Sequence, residues 1–174
     1  MAERPLALVF GGSRGIGAAC VDALLRDGFD VVLKGGGWDR PTKGRPVGKL
    51  SPITHAFGVE YNRIYSSVVA GLCFFSKINN DSWTRRALEI VAVGGLLVCE
   101  RTEEAQSHFK DREEAYFFSS VEELVEIVAE LKAQPEKREA VRSAGHRRLL
   151  AEPNTIDDRA AQVVSYARSI SKSA

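Results

Sequence analysis

The first part of the chain alternates short apolar runs with glycine-containing and polar turns. Leu6–Phe10 is a continuous apolar run, which is typical of a strand that is buried on both faces of a parallel sheet. Residues 16–24 carry apolar side chains at helical spacing, and Gly28 follows at a position that favours the end of a helix. Residues 29–33 form the next apolar run. This order of strand, helix and strand predicts a βαβ unit.

The alternation continues beyond a long loop at residues 35–52, which is rich in glycine and contains two prolines. Strands are predicted at 53–57, 69–75, 96–99 and 115–118, and helices at 59–68, 83–93 and 102–109. Three consecutive helices then begin near Ser120, Pro135 and Thr155. The pattern predicts an α/β fold: a single doubly wound Rossmann-like domain over residues 1–174, with a parallel sheet and C-terminal helices.

The C-terminal helices carry two further patterns. Ser120-Val-Glu-Glu123 is a capping box. It opens a helix whose predicted apolar face consists of Val121, Leu124, Val125, Val128 and Leu131. The following helix carries a basic cluster interleaved with glutamates, which predicts a solvated face formed by Lys137, Arg138, Arg142, His146, Arg147 and Arg148. The three histidines are isolated in sequence and are interpreted as structural or exposed.

Composition narrows the classes of protein that fit. The 174 residues include 24 basic and 23 acidic side chains, so no basic excess points to nucleic acid as a partner. No apolar run approaches the ~20 residues that span a bilayer, and the N-terminus does not have the pattern of a signal peptide. The three cysteines each lie in an apolar run, and no Cys-x2-Cys or His-x3-His spacing indicates a metal site. We therefore expect a cytoplasmic protein without a membrane span or a bound metal.

A glycine-rich turn follows the first predicted strand. Gly11-x3-Gly15-x-Gly17 stands between strand and helix, where backbone amides and the helix N-terminus can hold a phosphate, here at Gly12 and Ser13. Residues 5–33 resemble the cofactor loop of short-chain dehydrogenase/reductases, which implies NAD(P). Lys34 stands at the position where an acidic residue would select NAD. A lysine there tolerates a 2′-phosphate, so NADP is the alternative cofactor. The catalytic Tyr-x3-Lys motif of that family is absent, so we expect this segment to bind a cofactor without transferring hydride. The alternative interpretation is a glycine turn that serves only the packing of the strand against the helix.

Five ordered blocks carry a longer resemblance. They lie at residues 28–39, 76–81, 84–90, 94–102 and 114–118. Together they resemble the C-terminal domain of two-domain GT-B glycosyltransferases, and CgeB-like enzymes in particular, over about residues 28–170. The resemblance divides the domain into a βαβ opening at 1–33 and a glycosyltransferase-like part at 34–170.

That resemblance implies a nucleoside diphosphate sugar bound at the C-terminal ends of the strands. Asp81-x7-Glu89 matches the acidic-x7-Glu pattern of such enzymes, in which Glu89 would accept hydrogen bonds from ribose hydroxyls. Asp81, at the predicted helix start, would cap the helix or face the sugar. Lys77 and Arg86 match basic positions that would pair with the diphosphate. The alternative interpretation makes Asp81 a cap only and the other three solvated surface charges.

The leading hypothesis is a nucleotide-sugar-binding domain, partial or chimeric, that is not catalytic alone. The resemblance implies a donor sugar nucleotide as substrate, no tightly bound cofactor and no catalytic residue in this chain, because the acceptor half of the enzyme supplies the base. Hexosyl transfer would then need a missing acceptor domain as partner. An NADP(H)-binding, oxidoreductase-like Rossmann module is one alternative. A ligand-free structural domain that forms a homodimer is the other.

Overall fold

The opening βαβ unit is confirmed. A computed structural model describes residues 6–10, 15–26, 28, 30–34 and 56–171. Strand β1 (Leu6–Phe10) is followed by helix α1 (Gly15–Arg26) and strand β2 (Asp30–Lys34). The two strands pair in parallel, from Leu6 opposite Asp30 to Phe10 opposite Lys34. Gly28 has a φ of +80°, the left-handed conformation that glycine supplies after a helix.

Residues 56–171 contain three more strands and six helices. Helix α2 (Gly58–Ser67), strand β3 (Gly71–Cys73), helix α3 (Arg85–Ala92), strand β4 (Leu97–Glu100), helix α4 (Glu103–His108) and strand β5 (Tyr116–Phe118) alternate along the chain. Helices α5 (Val121–Ala133), α6 (Pro135–Leu150) and α7 (Ile156–Ser171) follow. The strands form a parallel sheet in the order β3-β4-β5. The predicted α/β class with parallel strands and C-terminal helices is confirmed, and the described strands divide between this sheet and the β1-β2 pair.

Strand β4 is buried on both faces, as its apolar run predicts. Leu97 and Cys99 belong to a core with α2, α3 and α4, whose larger buried members include Tyr65, Ile90 and Val91. Leu96 and Val98 belong to a second core with α5 and α6, whose buried members include Leu124, Ile127, Leu131 and Val141. Successive side chains of a strand point to opposite faces, so β4 joins two layers of helices. No described helix has the length and apolar character needed to cross a membrane.

Three boundaries differ from the sequence pattern. Strand β3 ends at Cys73 rather than at residue 75, because the Phe75 N–H donates to the Glu100 carboxylate instead of to a neighbouring strand. Helix α3 begins at Arg85, with Thr84 as its N-cap residue. The strand predicted at 53–57 falls mostly outside the described residues, and residues 56–57 are not in a strand.

The apolar face of α5 is partly different from the prediction. Val121 and Val125 are 45% and 53% exposed, whereas Ile127 is fully buried. The buried stripe runs through Leu124, Ile127 and Leu131, at spacings of three and four residues. The Ser120 cap is confirmed, since its hydroxyl accepts the Glu123 N–H.

The basic cluster of α6 is not simply a solvated face. The Arg142 guanidinium donates to the Val68 carbonyl at 2.6 Å, and Arg138 donates to the Leu131 carbonyl at 3.3 Å. His146 Nδ1 lies 2.8 Å from the Val91 carbonyl oxygen. The two arginines satisfy carbonyls at the ends of α2 and α5, where a helix leaves them without partners. The Val91 carbonyl near the end of α3 already accepts the Gly94 N–H at 3.0 Å, so His146 is an additional contact there. The structural role expected of the histidines holds for His146.

Candidate functional site

The chain leaves β3 through a tight polar turn at residues 76–81. The Asp81 N–H donates to the Ser76 carbonyl at 3.0 Å, and the Asn79 N–H donates to the Ser76 hydroxyl at 3.3 Å. Asn80 has a φ of +55°, a conformation that asparagine tolerates better than most residues. The Thr102 hydroxyl donates to the Ser82 carbonyl at 2.7 Å and ties this loop to the segment after β4. The turn therefore lies fixed at the carboxyl ends of β3 and β4.

Asp81 does not cap helix α3, so the predicted cap is wrong. Its Oδ2 instead accepts the Ser76 N–H at 3.4 Å and helps to close the turn. Because α3 begins only at Arg85, the spacing from Asp81 to Glu89 crosses a loop and does not place both carboxylates on one helix face. Asp81 is half-buried at the carboxyl edge of the sheet.

Lys77 lies beside a carboxylate that sequence reasoning missed. Its Nζ is 3.1 Å from Glu100 Oε1, while Glu100 Oε2 accepts the Phe75 N–H at 2.7 Å. Glu100 is only 9% exposed. The available signal was an acidic residue at the end of an otherwise apolar strand, Leu97–Glu100, which places a charge at the carboxyl edge of a parallel sheet.

Arg86 and Glu89 both lie on α3, and Tyr61 of α2 contacts each of them. The Tyr61 hydroxyl donates to Glu89 Oε2 at 3.0 Å, and Arg85 Nε lies 2.9 Å from Glu89 Oε1. Arg86 donates to the Tyr61 oxygen at 3.4 Å, with its guanidinium 6.0 Å from the ring centre. Burial and the hydrogen bond to Glu89 raise the pKa of Tyr61 well above its ordinary value, so the phenol stays protonated. Tyr61 was not predicted.

The buried Cys73 is the last residue of strand β3. Its Sγ lies 3.5 Å from the Thr84 hydroxyl. Burial raises the pKa of this thiol, and the charges of Arg86, Glu100 and Glu89 all act on it. Lys77 thus pairs with Glu100 in the turn after β3, while Arg86 and Glu89 share Tyr61 on the next helix, α3. A carboxyl edge with charged groups beside the start of a helix is where parallel α/β sheets bind anionic ligands.

The first glycine turn contributes less to the site. Gly12 and Ser13 lie outside the described residues, so phosphate binding there stays a prediction. Gly15 and Gly17 lie in the first turn of α1. Within the described part of the chain, no group of three or more His, Cys, Asp or Glu side chains is arranged to hold a metal ion.

Comparison with known proteins decides the family. A family model described as glycosyl transferase-like matches residues 14–165. The chain belongs to the glycosyl transferase-like family. The match includes both groups of charged residues around β3. No curated protein has a sequence that matches this chain.

Solved structures agree on the fold. Sucrose-phosphate synthase from Thermosynechococcus elongatus superposes with a TM-score of 0.69 at 18% identity, over 100% of this chain and 47% of that one. Anabaena Alr3699/HepE in complex with UDP-glucose superposes with a TM-score of 0.67 at 12% identity, over 97% of this chain and 50% of that one. The C-terminal domain of the group 1 glycosyltransferase LpcC from Francisella tularensis superposes with a TM-score of 0.57 at 16% identity, over 86% of this chain and 85% of that one.

These likenesses show that the fold matches the Rossmann-like domains of GT-B glycosyltransferases. The chain spans about half the length of the first two structures. The oxidoreductase and ligand-free alternatives are not favoured by these comparisons.

Proposed function

We propose that this glycosyl transferase-like chain binds the nucleoside diphosphate sugar of a glycosyltransferase, and that its relatives within the family are CgeB-like enzymes. The observation that supports the proposal is the pair of charged contacts in the turn and helix that follow β3, Lys77 with Glu100 and both Arg86 and Glu89 with Tyr61. The UDP-glucose present in the HepE structure, which has the same fold, supports this class of ligand. No tightly bound cofactor is part of the proposal.

Glu89 is the proposed ribose ligand. Its carboxylate already meets Tyr61 and Arg85, yet a carboxylate offers about four lone-pair sites, which leaves acceptors for two hydroxyls. Arg85 is 88% exposed, so its ion pair with Glu89 is weak and yields to a ligand at little cost. Tyr61 keeps the carboxylate oriented while this exchange takes place.

Lys77 and Arg86 are the proposed diphosphate ligands. Both are exposed cations at the carboxyl edge of the sheet, where they can meet a charged ligand from solvent. Positive charge at this place stabilises the negative charge that develops on the leaving diphosphate when the sugar is transferred. Asp81, in the turn between these cations, is proposed to face the sugar. Gly12 and Ser13 are proposed to add backbone contacts.

The proposal assigns no catalytic residue to this chain. The resemblance to CgeB-like enzymes implies that the acceptor half supplies the base. Transfer of a hexosyl group therefore needs an acceptor domain as a partner, whereas binding of the donor does not. The protein is proposed to be located in the cytoplasm.

Isothermal titration calorimetry tests the proposal. The full chain is titrated with UDP, GDP and their hexose conjugates, beside the Glu89→Ala variant. Glu103→Ala on α4, which is also an exposed helical glutamate, serves as the matched control. We expect binding by the wild type and the control, with affinity lost in Glu89→Ala. Absence of binding at millimolar ligand, or binding that Glu89→Ala leaves unchanged, would overturn the proposal.

A further inference from the structure

The ion pair between Lys77 and Glu100 is asymmetric. Glu100 is buried, and its second oxygen is held by the Phe75 N–H at 2.7 Å. The Lys77 side chain is 73% exposed, and its Nζ reaches Glu100 Oε1 at 3.1 Å. The carboxylate is therefore fixed in place, while the flexible lysine stem can move its charge outward into solvent.

A phosphate group that approaches Lys77 must compete with this carboxylate. Removal of one partner from a buried ion pair leaves an uncompensated buried charge, which is costly. A single ammonium cannot fully neutralise both Glu100 and a diphosphate, so the two anions compete for the charge of Lys77. Arg86 differs, because it donates to the neutral hydroxyl of Tyr61 and also interacts with the neutral hydroxyl of the buried Tyr65.

We infer that Glu100 is a resident counter-ion that competes with the ligand's diphosphate for Lys77 and so weakens the retention of the nucleoside diphosphate. This inference rests on the proposed function. Glu100 then acts through Lys77 as a positioning residue and has no contact with the ligand. The sugar nucleotide donor and the nucleoside diphosphate left after transfer bind through the same diphosphate. A competing carboxylate speeds release of that product, and tight retention of a product delays turnover.

A double-mutant cycle isolates this role. UDP and GDP, without sugar, are titrated into the wild type, Glu100→Gln, Lys77→Met and the double variant. Glutamine keeps an oxygen that accepts the Phe75 N–H, so the turn retains its anchor while the charge is removed. Glu103→Gln makes the same change of charge on an exposed glutamate of α4. Thermal unfolding checks that all variants are folded.

We expect Glu100→Gln to tighten nucleotide binding roughly threefold to tenfold, the range of a partly exposed ion pair. The control should leave the affinity unchanged. In the Lys77→Met background, Glu100→Gln should change it by less than about twofold, since the shared cation is gone. Looser or unchanged binding by Glu100→Gln overturns the inference while leaving the proposed function standing, as does equal tightening in the Lys77→Met background. If no variant binds either nucleotide, the proposed function falls and the inference falls with it.

Discussion

The Tyr61 hydroxyl donates a hydrogen bond to Glu89 Oε2 at 3.0 Å, across 28 positions of sequence. The contact joins α2 to α3 and fixes one oxygen of the proposed ribose ligand. The Tyr61 ring packs edge to face against the buried Tyr65, with ring centres 4.8 Å apart. A carboxylate on an eight-residue helix is thus oriented by a neighbouring helix and not only by its own backbone.

Tyr61→Phe removes this hydroxyl and keeps the ring. We expect nucleotide affinity to fall roughly threefold to tenfold, the net cost of one ordinary hydrogen bond, because Glu89 stays on its helix and loses only its orienting donor. Calorimetry with UDP and GDP measures the change. Tyr166→Phe, on the exposed surface of α7, is the control and should bind as the wild type does. An unaltered affinity in Tyr61→Phe would show that Tyr61 does not orient the ribose ligand.

Gly145 of α6 allows a close approach that no other residue permits. A Cβ placed there would collide with the Glu114 carbonyl oxygen, which belongs to the backbone and cannot rotate away. Gly145→Ala should therefore lower the free energy of unfolding by about 1–3 kcal/mol, in spite of alanine's better helix propensity. Urea unfolding measures the loss, with Ser143→Ala on the exposed face of the same helix as control. A Gly145→Ala variant as stable as the control would contradict this packing.

Local sequence patterns were sufficient for most elements. The apolar runs, and Pro135 at the start of α6, placed α2, β4 and α6 within about one residue of their observed bounds, since burial and helix starts leave local signals. The start of α3 was misplaced because Asp81 has the chemistry of an N-cap residue but bonds to Ser76 in a turn. Nothing local distinguishes these two uses of one carboxylate.

The contacts of the proposed site residues were not predictable from the sequence. Lys77, Arg86 and Glu89 followed from ordered motif blocks, whereas Glu100 and Tyr61 reach them through folding of distant segments. The inward role of Arg142 was missed for the same reason: its acceptor, the Val68 carbonyl, lies 74 positions away. Charge patterning along one helix does not reveal which carbonyl ends of other helices will meet it.

Glu130 predicts a pH dependence of stability. Hydrogen bonds from Lys137, Arg112 and Tyr116 lower the pKa of this half-buried carboxyl. Its contribution is therefore present above the ordinary glutamate pKa and is lost as pH falls through the lowered folded-state pKa. Burial, together with Glu130, raises the pKa of Tyr116 to about 12, so the tyrosine stays a donor throughout.

Glu130→Gln should cost about 1–3 kcal/mol of unfolding free energy at pH 7, because three donors lose a charged acceptor. The difference from the wild type should shrink as the pH falls below about 4, where the wild-type carboxyl also takes up a proton. Urea unfolding at the two pH values measures this. Glu126→Gln, on the exposed side of α5, should show little effect at either pH. If Glu130→Gln lowered the unfolding free energy equally at both pH values, the negative charge of Glu130 would not be the source of its contribution to stability.

Helix α7 should contribute little to the stability of the part of the chain that the structure describes. Its side chains from Arg159 to Ile170 are exposed, and neither core includes a residue of this helix. A chain that ends at Pro153 should therefore unfold cooperatively with a Tm within about 4 °C of the full chain, corresponding to a loss of no more than about 1 kcal/mol. A chain that ends at Gln134 is the contrasting control, because it also lacks α6 with its buried Val141 and Leu149. We expect that shorter chain to lose its cooperative transition, since removal of two large core side chains exceeds the margin of a small domain. Scanning calorimetry compares the three, and a collapse of the Tm on removal of α7 alone would show that the helix stabilises the fold through contacts other than core burial.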